Sequence, residues 1–201
     1  MELLRYTFNH TLPPIAAIMG IQKSGILLLL CLGVIIPFFG KAQDFGKKEF
    51  TPQIRGAIMM ANSHVPNATE GGKKVSIVPT WGFDFDYFFH RRWSAAIHGD
   101  VKLQSFEIED GAVLLTRTNP FAIAAVLHYH ALRHWSFYAG PGYELESHKN
   151  FFMIKGGTEY SFEISENFEI ALNLIYENKA EVYDAWTFGI AFNKVLWLKG
   201  R

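Results

Sequence analysis

The sequence predicts an all-β fold: an eight-stranded antiparallel up-and-down transmembrane β-barrel preceded by a signal peptide. Three observations lead there. An apolar run near the N-terminus has the layout of a secretion signal. Beyond about residue 50 the chain alternates apolar and polar residues with period two. Every second connection between the alternating segments is a tight turn.

The apolar run reads ILLLLCLGVIIPFF from Ile26 to Phe39, with Lys23 ahead of it and Gly40-Lys41-Ala42 behind it. A basic start, a short apolar stretch and small residues at −3 and −1 of a cut after Ala42 make a secretory signal. The run falls short of the ~20 residues a spanning helix needs. Met19-Gly20-Ile21-Gln22-Lys23 is an ordinary signal start. The expected organisation is therefore an extension (1–18), a signal peptide (19–42), a short lead (43–49), a barrel (50–197) and a tail (198–201). Cys31, the single cysteine, lies inside the apolar run, which excludes a disulfide framework and a cysteine zinc cluster in the mature chain. Leu30 before it and more apolar chain after it do not suit a lipidation site.

The strands follow from the strand period. A weak first strand covers Thr51–Ala61. The next runs through Ile77–Phe89, where Ile77, Trp81, Phe83, Phe85 and Tyr87 oppose Ser76, Thr80, Gly82, Asp84 and Asp86. Trp93–Gln104, Phe121–His130, Trp135–Glu146 and Phe152–Glu163 repeat the pattern. Phe168–Glu177 is the clearest case, with Phe168, Ile170, Leu172, Leu174 and Tyr176 on one face, and a last strand surrounds Trp186–Asn193. The segments at His90–Arg92, Ala131–His134 and Ser165–Asn167 are tight. Residues 62–74, 107–112, 147–150 and 178–184 are expected as the loops of the opposite end.

Zero net charge over 201 residues gives no electrostatic reason to expect nucleic acid. Charged residues at 19% and aromatics at 15% suit a wall facing lipid, and also a soluble all-β protein. Three features decide for lipid. The polar face is rich in Gly, Ala and Ser, as a narrow eight-stranded lumen requires. Its charges come in both signs, as confined charges must. Aromatics gather at strand ends: Phe88, Phe89, Trp93, Tyr129, Trp135, Phe162 and Phe168 as one girdle, Phe151, Phe152, Tyr183 and Trp186 as the other. The alternative is a soluble barrel of lipocalin type with the apolar face inward and an apolar ligand inside.

The candidate lumen network comprises Arg55, Asp84, Asp86, His98, Asp100, Lys102, His128, His130, Glu144, Lys155 and Glu159. His128 and His130 point the same way on one strand, roughly 6–7 Å apart. That is too far for one ion without a group from another strand, so the histidines read as network members rather than metal ligands. No cofactor is expected. No serine carries a nucleophile motif; Ser147-His148 lies in a loop, and Ser161 has Glu159 and Glu163 near it but no histidine.

Gly156-Gly157-Thr158-Glu159-Tyr160 and the final Trp186-Thr187-Phe188-Gly189-Ile190-Ala191-Phe192 resemble the small Gram-negative outer-membrane β-barrel proteins, the OmpA/OmpX-like group. The chain departs from that pattern by continuing through Val195-Leu196-Trp197 to Arg201, so Phe192 and Trp197 both compete for the terminal aromatic. The resemblance implies a monomeric outer-membrane protein in contact with lipid and lipopolysaccharide, inserted by the barrel-assembly machinery. It implies location far more than activity: a structural or interaction role is expected, with a lipid A-modifying enzyme on the same scaffold as the alternative.

Overall fold

The computed structural model describes residues 50–69, 72–111, 113–180 and 182–198. The expected extension, signal peptide and lead, and residues 199–201 of the tail, lie outside the described residues. Ten strands follow in chain order: β1 (Gln53–Thr69), β2 (Gly72–His90), β3 (Trp93–Lys102), β4 (Phe106–Asp110), β5 (Val113–Arg117), β6 (Phe121–His130), β7 (Trp135–Leu145), β8 (Phe151–Ser165), β9 (Phe168–Lys179) and β10 (Tyr183–Leu198). Eight close an antiparallel barrel in the order β1-β10-β9-β8-β7-β6-β3-β2, and β4 and β5 form a separate hairpin between β3 and β6.

The strand period sets the two faces. Every barrel strand turns a large apolar residue outward: Ile58, Phe83, Ile97, Leu127, Tyr143, Ile154, Leu172 and Phe188 are all exposed. Their neighbours point inward and are buried, among them Ala57, Ser94, Ala96, Val126, His128, Glu144, Met153, Lys155, Asn173 and Thr187. Closure leaves no unpaired sheet edge, the condition for a sheet to sit in hydrocarbon. The turns at 91–92, 131–134 and 166–167 lie at the end where β1 starts and β10 stops, since Gln53 pairs with both Phe88 and Leu198.

The β6–β7 ladder has a local break. Pairing runs from Phe121↔Leu145 to Ala124↔Gly142 and resumes at Leu127↔Ala139. Pro141 lacks an N–H to donate. At Gly140 the two backbones come so close that a Cβ would sit 1.9 Å from the Ala125 carbonyl oxygen. A shallow groove of about 460 Å³ on the outer wall follows this break, lined by Phe85, Tyr87, Ile97 and Leu127 around Gly140 and Pro141.

The structure corrects several sequence-based boundaries. The barrel has the eight strands expected, and the described residues add two more, β4 and β5, in a hairpin that the alternation did not predict. The loop expected at 62–74 is a paired hairpin: β1 and β2 stay in register from Asn62↔Pro79 to Thr69↔Gly72. The first strand thus runs well past Ala61. Outward positions there, such as Asn62 and His64, are polar, so the alternation fades while the hydrogen-bond ladder continues. The loop expected at 107–112 lies within the β4–β5 hairpin, turned by Gly111 at φ +67°. Strand pairing extends into the loop expected at 178–184, with Asp184 opposite Asn178 and Tyr183 opposite Lys179. Phe88, assigned to a girdle, shares the inward parity and stacks on His130 at 5.0 Å. Phe151 and Tyr183, assigned to the other girdle, are buried with Val65, Val78, Phe106, Ile108 and Ala185 in a second small core near the β4–β5 hairpin.

Candidate functional site

The barrel interior is filled by side chains. Its apolar middle is built from Met59, Val126, Tyr138, Met153 and Ile175, with Ala96, Ala122, Ala124, Ala171 and Ala191 as small spacers. Small residues are needed because eight strands leave a bore only one or two side chains wide. The candidate network residues lie inside the wall and form two groups.

The first group is balanced in charge and lies toward the long-loop end. Lys102 Nζ donates to Glu177 Oε2 at 3.1 Å and Asp100 Oδ1 at 3.4 Å. Lys155 Nζ reaches the other Asp100 oxygen at 2.5 Å, and Lys179 Nζ reaches Glu177 Oε2 at 2.5 Å. Arg117 Nη2 and the Tyr183 hydroxyl both donate to Glu144 Oε1, at 2.8 and 2.7 Å. Arg117 Nη1 also meets Glu146 at 3.3 Å. Four cations thus face the carboxylates of Asp100, Glu144, Glu146 and Glu177. Burying charges without partners is costly, and this arrangement leaves each of the four cations paired. The sequence pattern includes Asp100, Lys102, Glu144 and Lys155 in the lumen without grouping them, and it misses Arg117, Lys179 and Tyr183. Lys179 shares the parity of Glu177, a signal that was available. Arg117 enters from the β4–β5 hairpin, whose faces are not continuous with any barrel strand, so no periodicity could have found it.

The second group lies toward the tight-turn end and is strongly acidic. Arg55 is its one guanidinium. Its Nε donates to Asp86 Oδ2, and its Nη1 lies near both Glu159 Oε1 and Glu169 Oε2, each contact at 3.1 Å. Asp84 adds a fourth carboxylate, 3.7 Å from His98 Nδ1. His98 Nε2 and His128 Nε2 share a hydrogen bond of 3.0 Å, and the Tyr138 ring packs on both imidazoles, with centroids 4.8 and 4.7 Å away. His130 Nε2 pairs with Ser94 Oγ at 3.0 Å. Asp86 Oδ1 and His128 Nδ1 are buried without a hydrogen-bond partner.

Neither of the serines singled out in the sequence, Ser147 or Ser161, is arranged as a nucleophile. Ser161 Oγ donates to Glu159, and His134 Nδ1 contacts the Ser161 carbonyl rather than its hydroxyl. Ser147 Oγ and Glu146 Oε1 both contact the same nitrogen of His148, Nδ1, each at 3.1 Å. A base relay uses one ring nitrogen for the nucleophile and the other for the acid, so this trio ties down the loop instead. Near the β4–β5 hairpin, a cavity of about 290 Å³ is lined by Asn67, Ser105, Phe106, Glu107 and Thr116.

Among solved structures, this architecture matches Ail, the attachment invasion locus protein of Yersinia pestis, crystallised with the heparin analogue sucrose octasulfate. The TM-score is 0.50 at 13% identity, over 74% of this chain and 100% of that one. The chain has the fold of the small eight-stranded outer-membrane barrels. Neisserial surface protein A gives a TM-score of 0.46 at 10% identity, over 73% of this chain and 99% of that one. The N-terminal barrel domain of Pseudomonas aeruginosa OprF gives 0.41 at 14%, over 71% and 98%. No family model and no curated protein matches the sequence. With identities this low, the small-barrel likeness is one of fold.

Proposed function

We propose that this chain is an integral outer-membrane β-barrel with a structural or interaction role, carried by a wall that faces lipid and a lumen packed shut. The single observation behind this reading is the outward placement of a large apolar residue on every barrel strand, while lysine, arginine and carboxylate side chains are buried inside. A soluble barrel would have the reverse arrangement, because water favours charge outside and apolar area within. The apolar-ligand carrier is disfavoured by the same fact.

The packed interior argues against a diffusion pore and leaves interaction to the end that carries the long strands. There β1 and β2 continue beyond the belt, the β4–β5 hairpin packs near them, and Glu107 N donates to Asn67 Oδ1 at 3.2 Å. Such a braced platform suits contact with a macromolecular partner or lipopolysaccharide. The same reading includes export by residues 19–42, insertion by the barrel-assembly machinery and a monomeric state. Fractionation of cells producing the protein tests it. Recovery in the outer membrane, with heat-modifiable mobility on gels, is the expected result; recovery in the soluble periplasmic fraction without detergent would overturn it.

A further inference from the structure

We propose that Asp86, His98 and His128 form a binding site for one divalent transition-metal ion of the zinc class, inside the barrel near the tight-turn end. The juxtaposition is made by three adjacent strands, β2, β3 and β6, and does not depend on which membrane surrounds the wall. One donor atom from each residue lies within 4.8 Å of the other two. His98 Nε2 and His128 Nε2 are 3.0 Å apart, and His128 Nε2 is 3.5 Å from Asp86 Oδ1. Ligands at about 2.0–2.1 Å around a tetrahedral zinc stand about 3.3 Å from one another, so these two separations already bracket the required value.

The surrounding groups orient the donors. Arg55 holds Asp86 through Oδ2, leaving Oδ1, which is buried and has no hydrogen-bond partner, aimed at the imidazoles. A buried carboxylate oxygen without a donor is unusual in a packed interior and calls for a cation or a proton. His98 presents Nε2 to the site, and its far nitrogen, Nδ1, faces the Asp84 carboxylate. A carboxylate behind a ligating histidine is the usual arrangement for fixing the tautomer that frees the ligating nitrogen. Tyr138 packs against both rings and limits their rotation. The hydrogen-bonded network alone accounts for the contact between the histidines but leaves Asp86 Oδ1 unsatisfied.

Charge gives an independent reason. The long-loop half of the lumen is balanced, whereas here three carboxylates, Asp86, Glu159 and Glu169, share the guanidinium of Arg55. A divalent ion reduces that excess. The route offered to an ion is the tight-turn mouth, where the side chain of Glu169, two residues past the turn at 166–167, keeps 30% of its exposure. Three protein ligands leave a fourth position for water, the pattern of an open rather than a closed site. His130 lies outside the triad because its Nε2 is engaged by Ser94.

The test uses the full barrel purified in detergent, stripped with a chelator and titrated with Co²⁺ and Zn²⁺. Four-coordinate Co²⁺ reports itself by visible absorption bands, and Zn²⁺ displaces it. The expected result is one equivalent per barrel, with affinity at least 100-fold weaker in His98→Gln, His128→Gln and Asp86→Asn, and unchanged in His64→Gln. Heat-modifiable gel mobility checks that each variant is folded. Failure of the folded wild-type barrel to bind a stoichiometric ion overturns the proposal, whatever the variants do. Equal binding by a folded His98→Gln/His128→Gln double variant overturns it too. Both outcomes are readable whether or not the protein is recovered in the outer membrane.

Discussion

Replacing Leu172 by arginine tests which face of the sheet meets hydrocarbon. Leu172 is 50% exposed at the middle of the outward apolar set of β9, between Ile170 and Leu174. Its cross-strand partners are Tyr160 on β8 and Ile190 on β10, neither of which offers an acceptor carboxylate to a guanidinium. In water, a substitution at a half-exposed leucine is usually worth within about 0.5 kcal/mol. At the middle of a bilayer the same arginine costs about 2–4 kcal/mol, falling to about 0–1 kcal/mol near the interface. The larger figure corresponds to a loss of roughly 30- to 700-fold in the folding equilibrium constant, at about 1.4 kcal/mol per tenfold. Ile164→Arg is the companion variant, because Ile164 is also exposed but sits beside the turn before Phe168. Reversible denaturant unfolding of the barrel in phospholipid vesicles gives both values. The expected outcome is a gap of at least about 1 kcal/mol, with Leu172→Arg the worse, which is the depth dependence of a lipid-facing wall. Two small and equal costs would mean that the face meets water, and the assignment of inside and outside would be refuted.

Four further outcomes follow from the interior, the ladder and the loops. Glu177→Ala removes the shared acceptor of Lys102 and Lys179 and the carboxylate facing Lys155, so it should destabilise the barrel by about 3–5 kcal/mol in the same unfolding assay. A value below about 1 kcal/mol would show that water reaches those ammonium groups. Gly140→Ala drives a Cβ into the Ala125 carbonyl and should cost about 1–3 kcal/mol, while Gly111→Ala, with open space but φ +67°, should cost about 1 kcal/mol. Reversal of that order would mean that the β6–β7 backbones are not in close approach. In the 146–150 loop, burial pushes the Glu146 carboxyl up, but donors from the His148 backbone, the Ser147 hydroxyl, the His148 ring and Arg117 outweigh it and hold it down at about 2. With the folded value below the ordinary 4.5, this contribution is complete above about pH 4.5 and is lost as pH falls through about 2. A carboxyl NMR titration should therefore find Glu146 still ionised at pH 3; a midpoint near 4.5 would refute the loop's hydrogen bonding. Tyr183→Phe deletes a donor to Glu144 while sparing the ring contacts with Phe106 and Phe151, and should cost about 1–3 kcal/mol by thermal unfolding, with no cost counting against the buried bond.

What could be read without coordinates was whatever repeats locally. Period two along each strand separates Leu172 from Asn173 and Phe85 from Asp86 wherever one face is apolar, and short polar segments such as Ser165–Asn167 mark the turns. The alternation fades where the outward face turns polar, as at Asn62 and His64, even though Val65 and Val78 stay buried on the inner face. The sequence pattern therefore reads the long β1–β2 hairpin beyond Ala61 as a loop, and it places Phe151 in a girdle although Phe151, out of step with Phe152 and Ile154, points inward. The inward parity of the candidate network residues was also visible, since parity needs only neighbours in sequence.

Which of them meet was not. Closure and strand stagger bring β2, β3 and β6 side by side, so that Asp86, His98 and His128 converge although no two are closer than twelve positions in the chain. The same closure sorts the charges into a balanced half and an acidic half, and it lets the β4–β5 hairpin send Arg117 back to Glu144. The sequence by itself determined the strand period, the two faces and the tight-turn end, because these are properties of consecutive residues. Only the tertiary structure decided the partners inside the barrel, because the register between distant strands sets distances of 3 Å that no local pattern encodes.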